Sequence, residues 1–259
     1  MKRIVYSIFN DNVDQNHKST NDFKLGQFRK YKQQIIQSQQ NYAAKCGAEY
    51  KLFETTTTNY NDIQFEKIKL LEQLAESYDQ LLYLDFDVVP TDTAKNIFDS
   101  FDFNTIGIHP LYRTPSIEEL HDALTYKWFD TMNVYCKTCA KNAMLLLDGI
   151  TGSDKVYNTG VIVAGKEVVK QLRFTDLRPQ LDRLLDTAKD DNVYPEEIST
   201  TFYYNNEIYI TYLIEQNNIP YTDLSSAWNF ILDGYQPDIS AGAYFIHHVN
   251  KQFEKSFEC

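Results

Sequence analysis

Leu81–Pro90 reads LLYLDFDVVP: four apolar or aromatic residues, then Asp85 and Asp87 one position apart, then two valines and a proline. An apolar run of this length without polar alternation, closed by turn chemistry, predicts a strand buried on both faces, as in parallel sheets flanked by helices. Carboxylates are too costly to bury within such a strand, so the two aspartates are expected at its end. There they meet the carboxyl edge of the sheet, where open α/β folds hold their ligands. If the segment stays extended, residues i and i+2 share a side, so Asp85 and Asp87 converge while Phe86 turns to the core. Two converging carboxylates repel unless a cation joins them, and hard oxygen donors favour Mg²⁺ or Mn²⁺. The plain alternative for an Asp-x-Asp triplet is a solvated turn. Position weighs against it, because the triplet closes the most apolar strand-like run in the chain.

A chain of 259 residues with 43% hydrophobic and 24% charged residues can bury a substantial core. Its net charge of −11 and isoelectric point near 4.9 argue against a nucleic-acid groove or an anionic membrane surface as the main partner. An acidic protein that handles phosphate needs a cation to do so. Four cysteines (Cys46, Cys136, Cys139 and Cys259) are too few for a disulfide framework, and the lone Cys136-Lys-Thr-Cys139 spacing reads as structural or incidental. The first residues form a strand pattern rather than a leader, no apolar stretch reaches the length of a membrane span, and no Asn-x-Ser/Thr sequon occurs. A cytoplasmic protein with no integral membrane segment is the expectation.

Along the chain, Ile4–Phe9 is a strand candidate followed by the turn cluster Asn10-Asp11-Asn12. Tyr31, Ile35, Tyr42 and Cys46 share a helical face, Gly47 supplies the stop, and the stretch KQQIIQSQQ is read as the wet side of that helix. Tyr50–Phe53 predicts a second strand, Thr55–Thr58 a loop, and Phe65–Ser77 a helix carrying Lys67 and Lys69. This βαβαβ alternation implies a mostly parallel sheet with right-handed crossovers. Thr91-Asp92 with Ile97-Phe98 predicts a short capped helix, Thr105–His109 a strand, and Ser116 with Glu119 a capping box opening a helical region to about Asp148. Val156–Gly165 is a further strand with Asn158, Thr159 and Gly160 at its entry. A helix from Glu167 to about Ala188 is expected to be interrupted or bent at Pro179, and Asn205-Asn206-Glu207 opens another. Trp228-Asn229 and a final strand, Ala243–Asn250, close the pattern. With no repeat or Gly/Ser linker, residues 1–259 read as one domain: a half comprising residues 1–110, ending after the Asp-x-Asp strand, and a half comprising residues 111–259.

The ordered set of a strand, a Phe-x-Lys helix, Tyr-Asp-x-x-x-Tyr-x-Asp-x-Asp, an Asn-Thr-Gly strand, an Asn-Glu helix, Trp-Asn and a strand ending in His resembles the metal-dependent GT-A fold glycosyltransferases. Within them it is most like the glycogenin-like and galactosyl/xylosyltransferase groups. The resemblance runs from Ile4 to Lys251 and rests on the order of short motifs. It implies a single Rossmann-like α/β domain, with a nucleotide-binding half (1–110) and an acceptor-side half (111–259). It also implies a nucleotide-sugar donor, commonly a UDP-sugar, and a glycan or other hydroxyl-bearing acceptor. By the same resemblance Asp85 and Asp87 hold Mn²⁺ (or Mg²⁺) against the diphosphate, with His247 as a further ligand and His248 its alternative. Lys67 and Lys251 serve the donor, although the residues that usually follow the late histidine are absent after Lys251. Ser7, Ile8, Phe9 and Asp11 fall where the base and ribose are held, Phe9 being suited to stacking on uracil. Asn158, Asn206 and Glu207 fall near the reacting sugar.

Charge gathering on the departing diphosphate is the main obstacle in such a transfer, and a divalent cation answers it. If the carboxylate of Glu207 faces the acceptor from the side opposite the diphosphate it can serve as a general base and invert the sugar. On the other side it accompanies retention, which the glycogenin-like resemblance favours. Two further readings use the same residues: a haloacid-dehalogenase-like phosphatase with Asp85 as nucleophile, and a catalytically silent sugar- or nucleotide-binding protein of the same fold. The first usually carries its motif on the opening strand and needs a later acidic cluster, whereas Asp190-Asp191 here follows no apolar strand.

Overall fold

The computed structural model describes residues 1–10, 22–55, 60–111, 129–188, 206–232, 239 and 241–258. Asp11, Asn12, Thr56–Thr58, the Ser116–Glu119 capping box, Asp190-Asp191, Asn205 and Cys259 lie outside the described residues. The chain gathers into two compact units built from non-consecutive segments. The first comprises Met1–His109, Thr159–Lys170 and Pro220–Cys259, and the second Pro110–Asn158 and Gln171–Ile219.

The first unit opens with strand β1 (Arg3–Phe9), helix α1 (Asp22–Lys45), β2 (Glu49–Glu54), α2 (Tyr60–Ala75) and β3 (Gln80–Leu84). A short β4 (Val88–Pro90), α3 (Ile97–Ser100) and β5 (Ile106–Pro110) follow. The other long strand is β6 (Tyr157–Gly165), and β7 (Tyr221–Asp223) comes late in the chain. These strands make a six-stranded sheet in the order β2-β1-β3-β6-β5-β7. β1 runs parallel to β2 and β3, β5 runs parallel to β7, and β6 is antiparallel to β3. The expected α/β architecture, a mostly parallel sheet flanked by helices, is therefore present. Every residue of β3 and β6 is buried, which is why neither sequence alternates.

α1 buries Tyr31, Ile35, Tyr42 and Cys46 on one face and stops at Gly47, whose φ of +62° suits a residue without a Cβ. α2 buries Ile68, Leu71 and Leu74. One residue of the glutamine-rich stretch departs from the expected wet face: Gln39 is fully buried. Its amide donates to the carbonyls of Asp85 (3.2 Å) and Val88 (2.9 Å), and its own oxygen accepts from the Tyr50 hydroxyl (2.9 Å). A long amide can satisfy buried carbonyls that no apolar side chain could.

The strand expected over Leu81–Pro90 is broken. β3 ends at Leu84, Asp85–Asp87 turn with the Val88 amide donating to the Asp85 carbonyl at 2.9 Å, and β4 joins a second sheet. That sheet has the order β4-β9-β8, with β8 at Phe230–Ile231 and β9 at Phe245–His247. The final strand is thus only three residues long, pairing Val88 with His247 and Pro90 with Phe245. The cap of α3 is Asn96, not Thr91 or Asp92, its side chain accepting from the Phe98 amide at 3.1 Å. Thr91 instead donates its hydroxyl to the carbonyl of Ala243 at 2.9 Å.

The second unit contains α4 (Phe129–Leu147), α6 (Phe174–Ala188) and α7 (Asn206–Gln216). The helix expected over Glu167–Ala188 is two helices, α5 (Lys166–Leu172) and α6, and it breaks at Arg173 (φ +51°) rather than at Pro179. A left-handed residue ends the hydrogen-bond ladder outright, whereas a proline removes one bond from a helix that continues around it. Pro179 lies inside α6. Cys136 and Cys139 lie on α4 and form no disulfide among the described residues.

Candidate functional site

In the first unit, ligand atoms of Asp85, Asp87 and His247 all lie within 4.8 Å of one another. The two carboxylates converge as their spacing suggests, but for a different reason. The turn through Phe86, not an extended backbone, brings them together. Phe86 goes inward as expected, its ring 4.6 Å from that of Phe9 and 5.7 Å from that of Phe28. This apolar plug anchors the turn, so the aspartates sit on a fixed floor. Above it the Asp85 amide donates to the Gly160 carbonyl at 2.8 Å, tying the turn to β6.

Each carboxylate has its own lysine. Lys67, 6% exposed on α2, donates to Asp85 at 2.7 Å and to the Thr159 hydroxyl at 3.2 Å. Lys69 is exposed and pairs with Glu66 at 3.3 Å, so only Lys67 reaches the turn. The Tyr83 hydroxyl also donates to Asp85. Burial, then the Asp85 charge, pushes that phenol well above its usual range, so it stays a donor. Asp87, 6% exposed, pairs with Lys251 and lies 3.5 Å from Nε2 of His247. Burial would raise its pKa, but Lys251 and His247 together outweigh burial and hold the carboxyl well below the ordinary carboxylate range. Lys251 reaches back because its backbone is left-handed (φ +58°), a conformation that costs a non-glycine residue roughly 1–2 kcal/mol.

The two histidines have different jobs. His247 faces Asp87, and its Nδ1 lies 3.1 Å from the Asn229 side-chain oxygen. An Nδ1–H donated to that oxygen leaves the Nε2 lone pair directed to the carboxylate side. His248 points away: its Nε2 bonds Ser256 at 2.8 Å, its ring packs on Phe253, and burial lowers its pKa to about 4. Two carboxylate oxygens and an imidazole nitrogen form a donor set that fits Mn²⁺ or Mg²⁺.

β1 places Ser7 fully buried, its hydroxyl without a partner among the described residues, and Ile8 half-buried beside it. Phe9 lies 6% exposed in the aromatic cluster with the Lys32 ammonium 4.0 Å from its ring centre. The Asn10–Asn12 turn continues outside the described residues at Asp11.

A second polar cluster lies wholly within the second unit. Glu207, in the first turn of α7, accepts from the Asn158 amide at 2.8 Å through one oxygen and pairs with Lys137 of α4 through the other. Thr211 steadies this turn, donating its hydroxyl to the Glu207 carbonyl at 2.6 Å and accepting from the Tyr157 amide at 3.1 Å. Asn206 is buried beside Glu207.

No expectation from the sequence gave a part to Gln39, Tyr83, Lys137 or the Asn229 support for His247. Asn229 stood in the Trp-Asn motif and Tyr83 in the Tyr-x-Asp-x-Asp motif, each without a role, and Tyr83 lies two residues before Asp85, on the same side of the strand. Lys137 and Gln39 carried no local signal, since each acts across the fold.

No family model matches the chain, and no curated protein does. Solved structures do. One is a glycosyltransferase involved in the glycosylation of the major capsid of PBCV-1, with 14% identity and a TM-score of 0.47, covering 95% of this chain and 92% of that one. Another is mouse xyloside xylosyltransferase 1 in its apo form, with 11% identity and a TM-score of 0.44, covering 96% of this chain and 98% of that one. A third is the galactosyltransferase LgtC in complex with donor and acceptor sugar analogs, with 12% identity and a TM-score of 0.45, covering 95% and 86%. The solved structures named here, to which this α/β chain is similar along nearly all of its length, are glycosyltransferases.

Proposed function

We propose that this chain is a glycosyltransferase of the GT-A fold, acting as a single domain. It moves a hexose or pentose from a nucleotide-sugar, a UDP-sugar in our reading, to a hydroxyl of a glycan or similar acceptor. The observation that carries the proposal is the Asp85–Asp87–His247 cluster at the sheet edge, with Lys67 and Lys251 paired to its two carboxylates. Two acids and two ammonium groups balance one another. A divalent cation added to them leaves the site positive, which suits an anion such as a diphosphate.

In this reading Asp85, Asp87 and His247 hold Mn²⁺ or Mg²⁺, which when bound supplies Lewis-acid stabilisation of the diphosphate leaving group. Lys67 and Lys251 orient the phosphates, and Ser7, Ile8, Phe9 and Asp11 flank the nucleoside. Asn158, Asn206 and Glu207 serve the transferred sugar. Both oxygens of Glu207 are engaged by N–H donors. This favours a fixed negative charge beside an oxocarbenium-like centre over a proton acceptor, and with it retention of configuration.

Calorimetric titration of UDP with and without Mn²⁺, on the wild-type protein and on Asp87→Ala and His247→Ala, tests the site. Binding that needs both the metal and Asp87 supports the proposal. UDP binding equal in all conditions, or none, would overturn it and direct attention to phosphatase activity at Asp85. With an active donor in hand, NMR of the product anomer tests retention, and an inverted anomer refutes that part.

A further inference from the structure

α4 presents two lysines one turn apart, Lys137 and Lys141, and each forms an ion pair with a glutamate of α7. The two pairs are built differently. Lys141 is fully buried, donates to Glu215 at 2.7 Å, and is closed off by the carbonyl (2.8 Å) and hydroxyl (3.3 Å) of Ser153. Ser153 returns its own amide and hydroxyl to Glu215, at 3.0 and 2.6 Å. Every group in that knot is consumed, as expected of a device that pins the Ser153 segment between two helices. The Lys137 ammonium contacts only Glu207 among the described residues, leaving two of its three donors unused. Glu207 in turn faces one charged group, Lys137, and one neutral amide, Asn158.

We infer that Lys137 is a positioning residue for the reaction: it fixes the orientation and negative charge of Glu207 beside the transferred sugar and offers its free N–H donors to that sugar's hydroxyls. The inference rests on the glycosyltransferase reading and assigns a part within it to a residue that no motif marks. Burying an ion pair costs free energy unless it is well paired, and a nearly buried pair whose ammonium keeps two donors unused among the described residues is better explained by a ligand than by stability. Lys141 supplies the internal control, because it has the same chemistry on the same helix with nothing left to donate.

The test compares wild type, Lys137→Met, Lys137→Arg and Lys141→Met in the full chain. It measures kcat and KM for the donor and acceptor, and stability by urea unfolding. Lys137→Met is expected to lower kcat on the order of tenfold to a hundredfold with little change in donor KM, and Lys137→Arg should restore much of the rate. Lys141→Met should lower stability and leave kcat and KM close to wild type. A Lys137→Met protein that loses stability but keeps its kcat overturns the inference. So does a Lys141→Met protein whose kcat falls as far as that of Lys137→Met. Absence of turnover in the wild type with every donor tried instead defeats the glycosyltransferase reading itself, and the two failures are told apart by whether the wild type is active.

Discussion

Replacing Gln39 by leucine tests whether the Asp85–Asp87 turn is held from behind by one amide. The side chain is similar in size, so packing is largely kept while three hydrogen bonds are lost. Their consequences differ. The Asp85 carbonyl keeps the Val88 amide at 2.9 Å, and the half-buried Tyr50 hydroxyl can turn to water. The Val88 carbonyl has no such recourse. The ladder bonds flanking β4 are made at Asp87 and Thr91, whose partners are His248 and Tyr244, and such bonds fall on alternate residues, so Val88 faces away from that strand. One stranded buried carbonyl costs about 1–3 kcal/mol, and the second lost bond about 1 kcal/mol more. Urea unfolding should therefore show Gln39→Leu less stable by about 2–4 kcal/mol. For a chain of this size that corresponds to a melting temperature lower by about 5–10 °C. Calorimetry should also show weaker Mn²⁺-dependent UDP binding, since the turn that aims both carboxylates loses its backing. A Gln39→Leu protein that melts within about 1 °C of wild type and binds equally would refute the reasoning.

A Cβ added at Gly165 would lie 2.2 Å from the backbone oxygen of Phe103. Gly165→Ala should thus cost about 1–3 kcal/mol, read as a lowered urea midpoint at unchanged slope. His248 is buried neutral, with its pKa lowered from 6.5 to about 4, so the unfolded chain binds its proton first as pH falls. Its share of stability is complete above about pH 6.5 and is lost progressively toward pH 4, amounting to roughly 3 kcal/mol. Unfolding free energies of wild type and His248→Gln between those pH values should converge by that amount, and parallel curves would count against the assignment. Asp87 acts with the same sign at lower pH. Its depressed carboxyl contributes stability above the usual carboxylate range that disappears on deeper acidification. Asp87→Asn should remove that low-pH dependence in the same titration.

Much of the site was legible because strand burial and side-chain type are local properties. A run of buried residues ending in two acids announces the edge of a sheet, and β3 ends where Asp85 begins. The resemblance preferred Lys67 to Lys69, and the fold supplies the physical reason: both lie on one helix and only Lys67 turns toward Asp85. The choice between His247 and His248 was likewise made in space: alternation says that one of them faces the site, and the 3.5 Å approach of His247 Nε2 to Asp87 says which.

What the sequence by itself determined is the alternation of strands and helices, the mostly parallel sheet, the acid pair at its edge and the late histidine. These follow from periodicity, burial and donor chemistry, which act over a few residues. Only the tertiary structure decided that Asp85 and Asp87 converge through a turn, that Gln39 reaches inward from a glutamine-rich face to hold that turn, and that Lys137 closes on Glu207. Each of these depends on groups distant in sequence meeting in a buried space. There an unpaired carbonyl or charge costs more than local preference can offset, so the partner is selected by the fold and not by its neighbours in the chain.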